Sequence, residues 1–149
     1  MSNSYSRRNL LLQDAAGIQA FLNECGRPAN KETRQVALGR TAEFMFIRNH
    51  PLPTGYSPDY VDVMLAVHQY PSRPPGGLYV LRNGNDAAVS QLHQRFNLLD
   101  RGMHGAPTIE GYKWICFHYS DDQWAFNYRN VLAGDCLRKF LITWFNMCR

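Results

Sequence analysis

Apolar positions recur at helical spacing near the start of the chain and at strand spacing in its middle. Ile18, Phe21, Leu22 and Cys25 stand at i, i+3, i+4 and i+7, one apolar helical stripe. Asp14 is the candidate N-cap of this helix, and Gly26 with Pro28 ends it. Residues 36–38 and 44–47 lean toward β structure, and Pro51, Pro53, Gly55 and Pro58 then mark turns. Val61, Val63, Leu65 and Val67 alternate with Asp62, Met64, Ala66 and His68, the period-two pattern of a strand with one face on a core. The proline-rich stretch 70–77 excludes regular structure, and residues 78–81 predict the next strand, stopped by Asn83-Gly84. Residues 83–110 are weakly patterned, with a short helix expected around 89–98. An irregular stretch of this length inside a small domain is often functional.

Residues 114–117 form a short apolar segment. A final helix is expected over about 131–147, with Leu137, Phe140, Leu141, Trp144 and Cys148 on the stripe that packs against the sheet. The pattern therefore predicts an α+β fold: an N-terminal helix, an antiparallel meander of three to four strands, an irregular active-site stretch and a C-terminal helix. Residues 1–9 are polar and expected to be a flexible N-terminus, leaving 10–149 as one domain.

Composition narrows the class. The 149 residues are 45% hydrophobic and 19% charged, enough for a core without metal or disulfide staples. No apolar run approaches the ~18 residues of a membrane span, so no membrane association is expected. The opening string leads into only three leucines, too few for a secretory leader, so the expected location is the cytoplasm. The net charge of +4 is scattered, with no basic run longer than two, and no nucleic-acid partner is expected. The cysteines at 25, 116, 136 and 148 lack zinc-knuckle spacing, and neither metal nor cofactor is expected.

Cys25, Cys136 and Cys148 read as small buried hydrophobes. Cys116 differs: an apolar pair runs into it, a polar turn follows, and Trp124 lies eight residues beyond. Tyr70-Pro71-Ser72-Arg73-Pro74-Pro75 followed by Leu78-Tyr79-Val80 resembles the segment after the second strand in the ubiquitin-conjugating enzyme superfamily. Ile115-Cys116 with Gln123 and Trp124 resembles that superfamily's active-site string. Leu52-Pro53-Thr54-Gly55-Tyr56 resembles more narrowly the prokaryotic family E branch of bacterial ubiquitin-like conjugation systems.

The resemblance implies a UBC-like fold and a transferase. Cys116 would take the C-terminal carboxyl of a ubiquitin-like protein from an E1-like activating enzyme as a thioester and pass it to a lysine amine of a target protein. It also implies a setting beside a JAB-type deconjugating peptidase, within a bacterial antiphage defence operon. A free thiol is a few per cent thiolate at neutral pH and intrinsically nucleophilic, so no full catalytic dyad is required. His118 shares a face with Cys116 if the segment stays extended, and would assist proton transfer. Asp121 and Asp122 would orient or deprotonate the incoming lysine. Where the superfamily carries a His-Pro-Asn string before its cysteine, this chain has Met103-His104-Gly105-Ala106-Pro107-Thr108, with no asparagine. His104, Thr108 or backbone amides are the substitutes for its oxyanion donor. Tyr70 and Trp124 read as braces of the active-site flap. Lys113, three residues before the thiol, is the nearest self-modification site.

Two other readings of the residues stay open. One is an inactive E2-like module that binds a ubiquitin-like protein or its activating enzyme. The other is an unrelated α+β protein in which Cys116 belongs to the core or, with His118 and His104, to a small metal site.

Overall fold

The computed structural model describes residues 6–25, 31–119 and 123–149. In chain order the elements are α1 (Arg7–Glu24), β1 (Gln35–Leu38), β2 (Phe44–Pro51), β3 (Tyr60–Ala66), β4 (Gly77–Leu81), α2 (Asp86–Phe96), β5 (Tyr112–Cys116) and α3 (Leu137–Met147). The strands form one antiparallel sheet in the order β1-β2-β3-β4-β5. The α+β class, the N-terminal helix, the antiparallel meander and the C-terminal helix agree with the sequence pattern. The strand count does not, because the short runs at 35–38 and 112–116 each gain a full partner and the meander reaches five strands.

Helix α1 starts earlier than its apolar stripe suggests. The Ser6 side chain accepts from the Asn9 N–H and caps it, so Arg7, Arg8 and Asn9 are helical. Arg7 anchors this first turn, donating to the carbonyls of Tyr70 (2.8 Å), Ala42 (2.7 Å) and Val67. Three carbonyls from two different loops thus compensate one guanidinium. The C-terminal stop assigned to Gly26 and Pro28 lies outside the described residues; the last described turn ends at Glu24.

One sheet face and the three helices enclose the main core. Leu10, Leu11, Ile18 and Leu22 of α1 meet Leu137, Phe140, Leu141, Trp144 and Cys148 across Val61, Val63, Leu65, Leu78, Val80 and Ile115. All five residues of the expected C-terminal stripe are buried. Gly17 lets the Leu132 side chain seat on α1: a Cβ there would collide with both Leu132 methyl groups, standing 2.9 Å from Cδ1 and nearer still to Cδ2.

A bulge in β2 changes what the core receives. The register slips between Ile47 and His50, and Asn49 takes a left-handed φ of 53° while its N–H donates to Asp62 Oδ1 at 2.9 Å. Simple alternation from Met45 and Ile47 would send Asn49 inward; the bulge sends His50 instead, fully buried.

The opposite sheet face carries a smaller cluster of Met64, Ala66, Tyr79 and Trp114. It is covered by Leu99, Met103, Ala106 and Ile109 of the irregular segment between α2 and β5. That segment follows Asn97, whose left-handed conformation (φ 58°) ends α2 while its N–H donates to His93 O at 2.9 Å. Leu99 and Trp114 then exchange backbone hydrogen bonds of 2.9 and 2.8 Å, pinning the segment over the sheet.

Candidate functional site

Cys116 closes β5, the strand at one edge of the sheet, and its side chain is exposed. The pleat accounts for that. Ile115 and Phe117 point into the main core, so Trp114, Cys116 and His118 point to the other side. Trp114 is buried beneath the covering segment, while Cys116 and His118 lie beyond it and are open to solvent. The Trp114 indole N–H donates to Cys116 Sγ at 3.2 Å, and Met103 Sδ lies 3.8 Å from the same sulfur.

The other cysteines are of a different kind. Burial pushes the Cys25 thiol up to about 11 and the Cys148 thiol up to about 12, and it raises Cys136 as well. These three hold little thiolate at neutral pH, whereas the thiol of Cys116 is sterically available. The reading of Cys116 as a core residue is therefore corrected: strand alternation turns it outward. Among the described residues no group of three or more His, Cys, Asp or Glu side chains is placed to hold a metal ion, so Cys116, His118 and His104 do not form a metal site.

A cleft of about 440 Å³ is lined by Gln69, Ser72, Arg73, Gly76, His104, His118 and Trp124; Cys116 is not in its lining, but His118, two positions on, is. Gly76 precedes Gly77, the register partner of Cys116 on β4, and accepts the Phe117 N–H at 3.4 Å. The two predicted histidines meet here. Their rings stand edge to face, centroids 5.0 Å apart. His104 reaches this place through a tight turn in which it and Gly105 both take positive φ, 59° and 85°. A Cβ on Gly76 would stand 2.6 Å from His104 Cβ, so glycine at 76 lets the turn seat against the proline segment.

Trp124 and Tyr70 both hold the proline segment. Trp124 Nε1–H donates to the Pro71 carbonyl at 2.7 Å, and its ring meets Tyr119 edge-on at 5.6 Å. Tyr70 is buried and its hydroxyl donates to Leu10 O at 3.1 Å, tying the proline segment to α1. Asp121 and Asp122 lie outside the described residues. Thr108 is exposed, and its hydroxyl oxygen accepts the Gly102 N–H at 3.2 Å within the covering segment, so of Thr108 and His104 only His104 lines the cleft. Lys113 does not face the thiol. The pleat turns it to the face opposite Cys116, where it lines a hollow with Asp86, Val89 and His93 of α2 and pairs with Asp100.

The sequence reading missed Trp114 and Met103 as neighbours of the sulfur, and Gln69, Ser72 and Arg73 as cleft residues. Period-two alternation through 112–118 was the available signal for Trp114, which stands two positions from Cys116. The Met103 contact depends on how the irregular segment folds back, which no periodicity encodes.

A search of family models, of curated proteins and of solved structures finds no match to this chain.

Proposed function

We propose that this protein is an E2-like acyl carrier of UBC-like fold, in which Cys116 takes the C-terminal carboxyl of a ubiquitin-like protein as a thioester and delivers it to an amine of a target. The observation that carries the reading is the placement of Cys116: an exposed thiol at the end of an edge strand, two positions before the cleft residue His118, in a chain whose other cysteines have thiols raised by burial. A carrier must present one sulfur to two large partners in turn, and an edge-strand terminus is sterically suited to that.

In this reading the cleft receives the extended tail that carries the acyl group. His118, exposed on the same face as the thiol, takes up the proton of the attacking amine. His104, at the cleft wall, is the side-chain donor toward the tetrahedral oxyanion. The activating enzyme, the ubiquitin-like protein, the JAB-type peptidase and the defence setting enter with the resemblance; a cytoplasmic location is part of the same proposal. Among the described residues no helix is long and apolar enough to cross a membrane.

The test is a non-reducing gel of the protein with an E1-like enzyme, a ubiquitin-like protein and ATP. Wild type gives a reductant-sensitive band, Cys116→Ala gives none, and Cys116→Ser gives a reductant-resistant oxyester. No band with partners verified to react with each other would reject the carrier role and leave the inactive binding module.

A further inference from the structure

We propose that Trp114 is a catalytic residue of this reaction: its indole N–H donates to the sulfur of Cys116 and stabilises the negative charge that sulfur carries before the thioester forms and as it breaks. The inference rests on the acyl-carrier reading of Cys116 and adds a group that the superfamily resemblance does not supply.

Three observations converge on the indole. The donor is directed at the reacting atom, with Nε1 3.2 Å from Sγ. Trp114 is 1% exposed, so water does not satisfy that N–H, and a buried donor left without a partner costs about 1–3 kcal/mol. The ring is also held from several sides. Tyr79 meets it edge-on at 4.9 Å, the exchange with Leu99 fixes its backbone, and the covering segment closes over it. Gly77, opposite Cys116 on β4, leaves the space that the ring occupies. A Cβ there would stand 2.6 Å from Trp114 Cζ2 and 2.9 Å from Cε2.

A fixed, neutral donor of this kind discriminates between states of the sulfur. A thiol or thioester sulfur is a weak acceptor, and a thiolate is a strong one. The N–H therefore stabilises the charged form selectively, which is the requirement for lowering a barrier rather than merely binding the ground state. In loading, the Cys116 thiolate attacks the activated carboxyl carbon held by the activating enzyme. A C–S bond forms, and the bond from that carbon to the enzyme's leaving group breaks. In discharge, a neutral amine of the target attacks the thioester carbon. A C–N bond forms, the C–S bond breaks, and its electron pair returns to Sγ against the indole N–H. The amine proton leaves to His118 or water. The titratable groups next along the two segments that meet at the sulfur are His118 and His104; Lys113 and Asp100 pair on the other face.

The test uses the full chain and iodoacetamide, with no partner present. Trp114→Phe keeps an aromatic ring and removes the pyrrole half with its N–H donor. Its Cys116 alkylation near pH 7 is expected to slow about threefold, and at high pH, where both sulfurs are thiolates, the variant is expected to react about threefold faster, because a thiolate without the donor is the stronger nucleophile. Superimposable pH–rate profiles would overturn the proposal. If Trp114→Phe does not fold, wild type carries the test. The ¹⁵N-labelled indole N–H resonance of Trp114 should titrate with the same midpoint as alkylation and stay still in Cys116→Ala. A resonance indifferent to the thiol overturns the proposal. Neither measurement needs a ubiquitin-like protein, so failure here is separate from failure to form a thioester, which would remove the reaction and leave the hydrogen bond.

Discussion

The Asp14 carboxylate, midway along the N-terminal helix, accepts the first backbone N–H groups of the C-terminal helix, from Leu137 at 2.7 Å and Arg138 at 2.9 Å. A residue that reads in sequence as the cap of its own helix instead caps a helix 123 positions away. The N-cap residue of α3, Cys136, makes no side-chain cap bond, so Asp14 supplies the acceptor from outside. Asp14→Ala should therefore destabilise the fold by about 1–2 kcal/mol at pH 5, the usual cost of a lost cap. Urea denaturation checks it, and an unchanged midpoint at unchanged slope would rule the cap out.

Thiol chemistry should single out Cys116. At pH 7 a small alkylating reagent is expected to modify one thiol per folded chain quickly, and Cys116→Ala should remove that phase. Cys136 and Cys148 should react only on the timescale of unfolding, because burial both shields them and raises their thiols, and half-buried Cys25, whose thiol is pushed up to about 11, should react more slowly than Cys116. Peptide mapping after brief labelling identifies the site; label on Cys25 ahead of Cys116 would contradict the structure.

Gly77→Ala should be costly although alanine fits most strands. Its Cβ would press on the Trp114 ring and on the Ile115 carbonyl. Over-packing of this kind costs about 1–3 kcal/mol. The loss should appear in thermal unfolding, together with a changed near-ultraviolet signal from Trp114. A variant as stable as wild type would mean that the ring has room to move.

What the chain discloses about itself follows periodicity. The α3 stripe, the α1 stripe and the β3 alternation were readable because each repeats over several residues of one element. The Cys116 face was readable from the same rule, as was its sharing with His118. Features set by a single residue of irregular backbone were not. The bulge at Asn49 that sends His50 inward, the turn that brings His104 to His118, and the Arg7 anchor all depend on partners far along the chain. Asp14 is the instructive failure. Local capping preference was right about the chemistry and wrong about which helix it serves, because tertiary packing chose the partner.

Two buried groups impose opposite pH dependences on stability. Burial raises the Asp14 carboxyl to about 6 from its usual 3.8. Between those values the folded state holds a proton that the unfolded chain has lost, so stability is fully present below about pH 4 and falls as pH rises through 6. Burial lowers His50 to about 4 from its usual 6.5. Its ring lies against Phe21 and Trp144, its Nδ1–H donates to Pro51 O at 2.7 Å, and its Nε2 has no protein partner. Here the unfolded chain binds the extra proton, so stability is present above pH 6.5 and is lost as pH falls toward 4. At ~1.4 kcal/mol for each pH unit separating folded and unfolded values, each effect is about 3 kcal/mol, and in wild type they largely cancel. Single substitutions should unmask them. Relative to wild type, Asp14→Asn should lose stability as pH is lowered from 6.5 to 4, because His50 then acts alone. His50→Asn should gain stability over the same interval, because Asp14 then acts alone. Paired urea titrations at the two pH values read both signs against the wild-type curve, in which the ordinary surface carboxylates cancel. Slopes of the same sign in the two variants would mean that at least one of these groups is not buried as the structure places it.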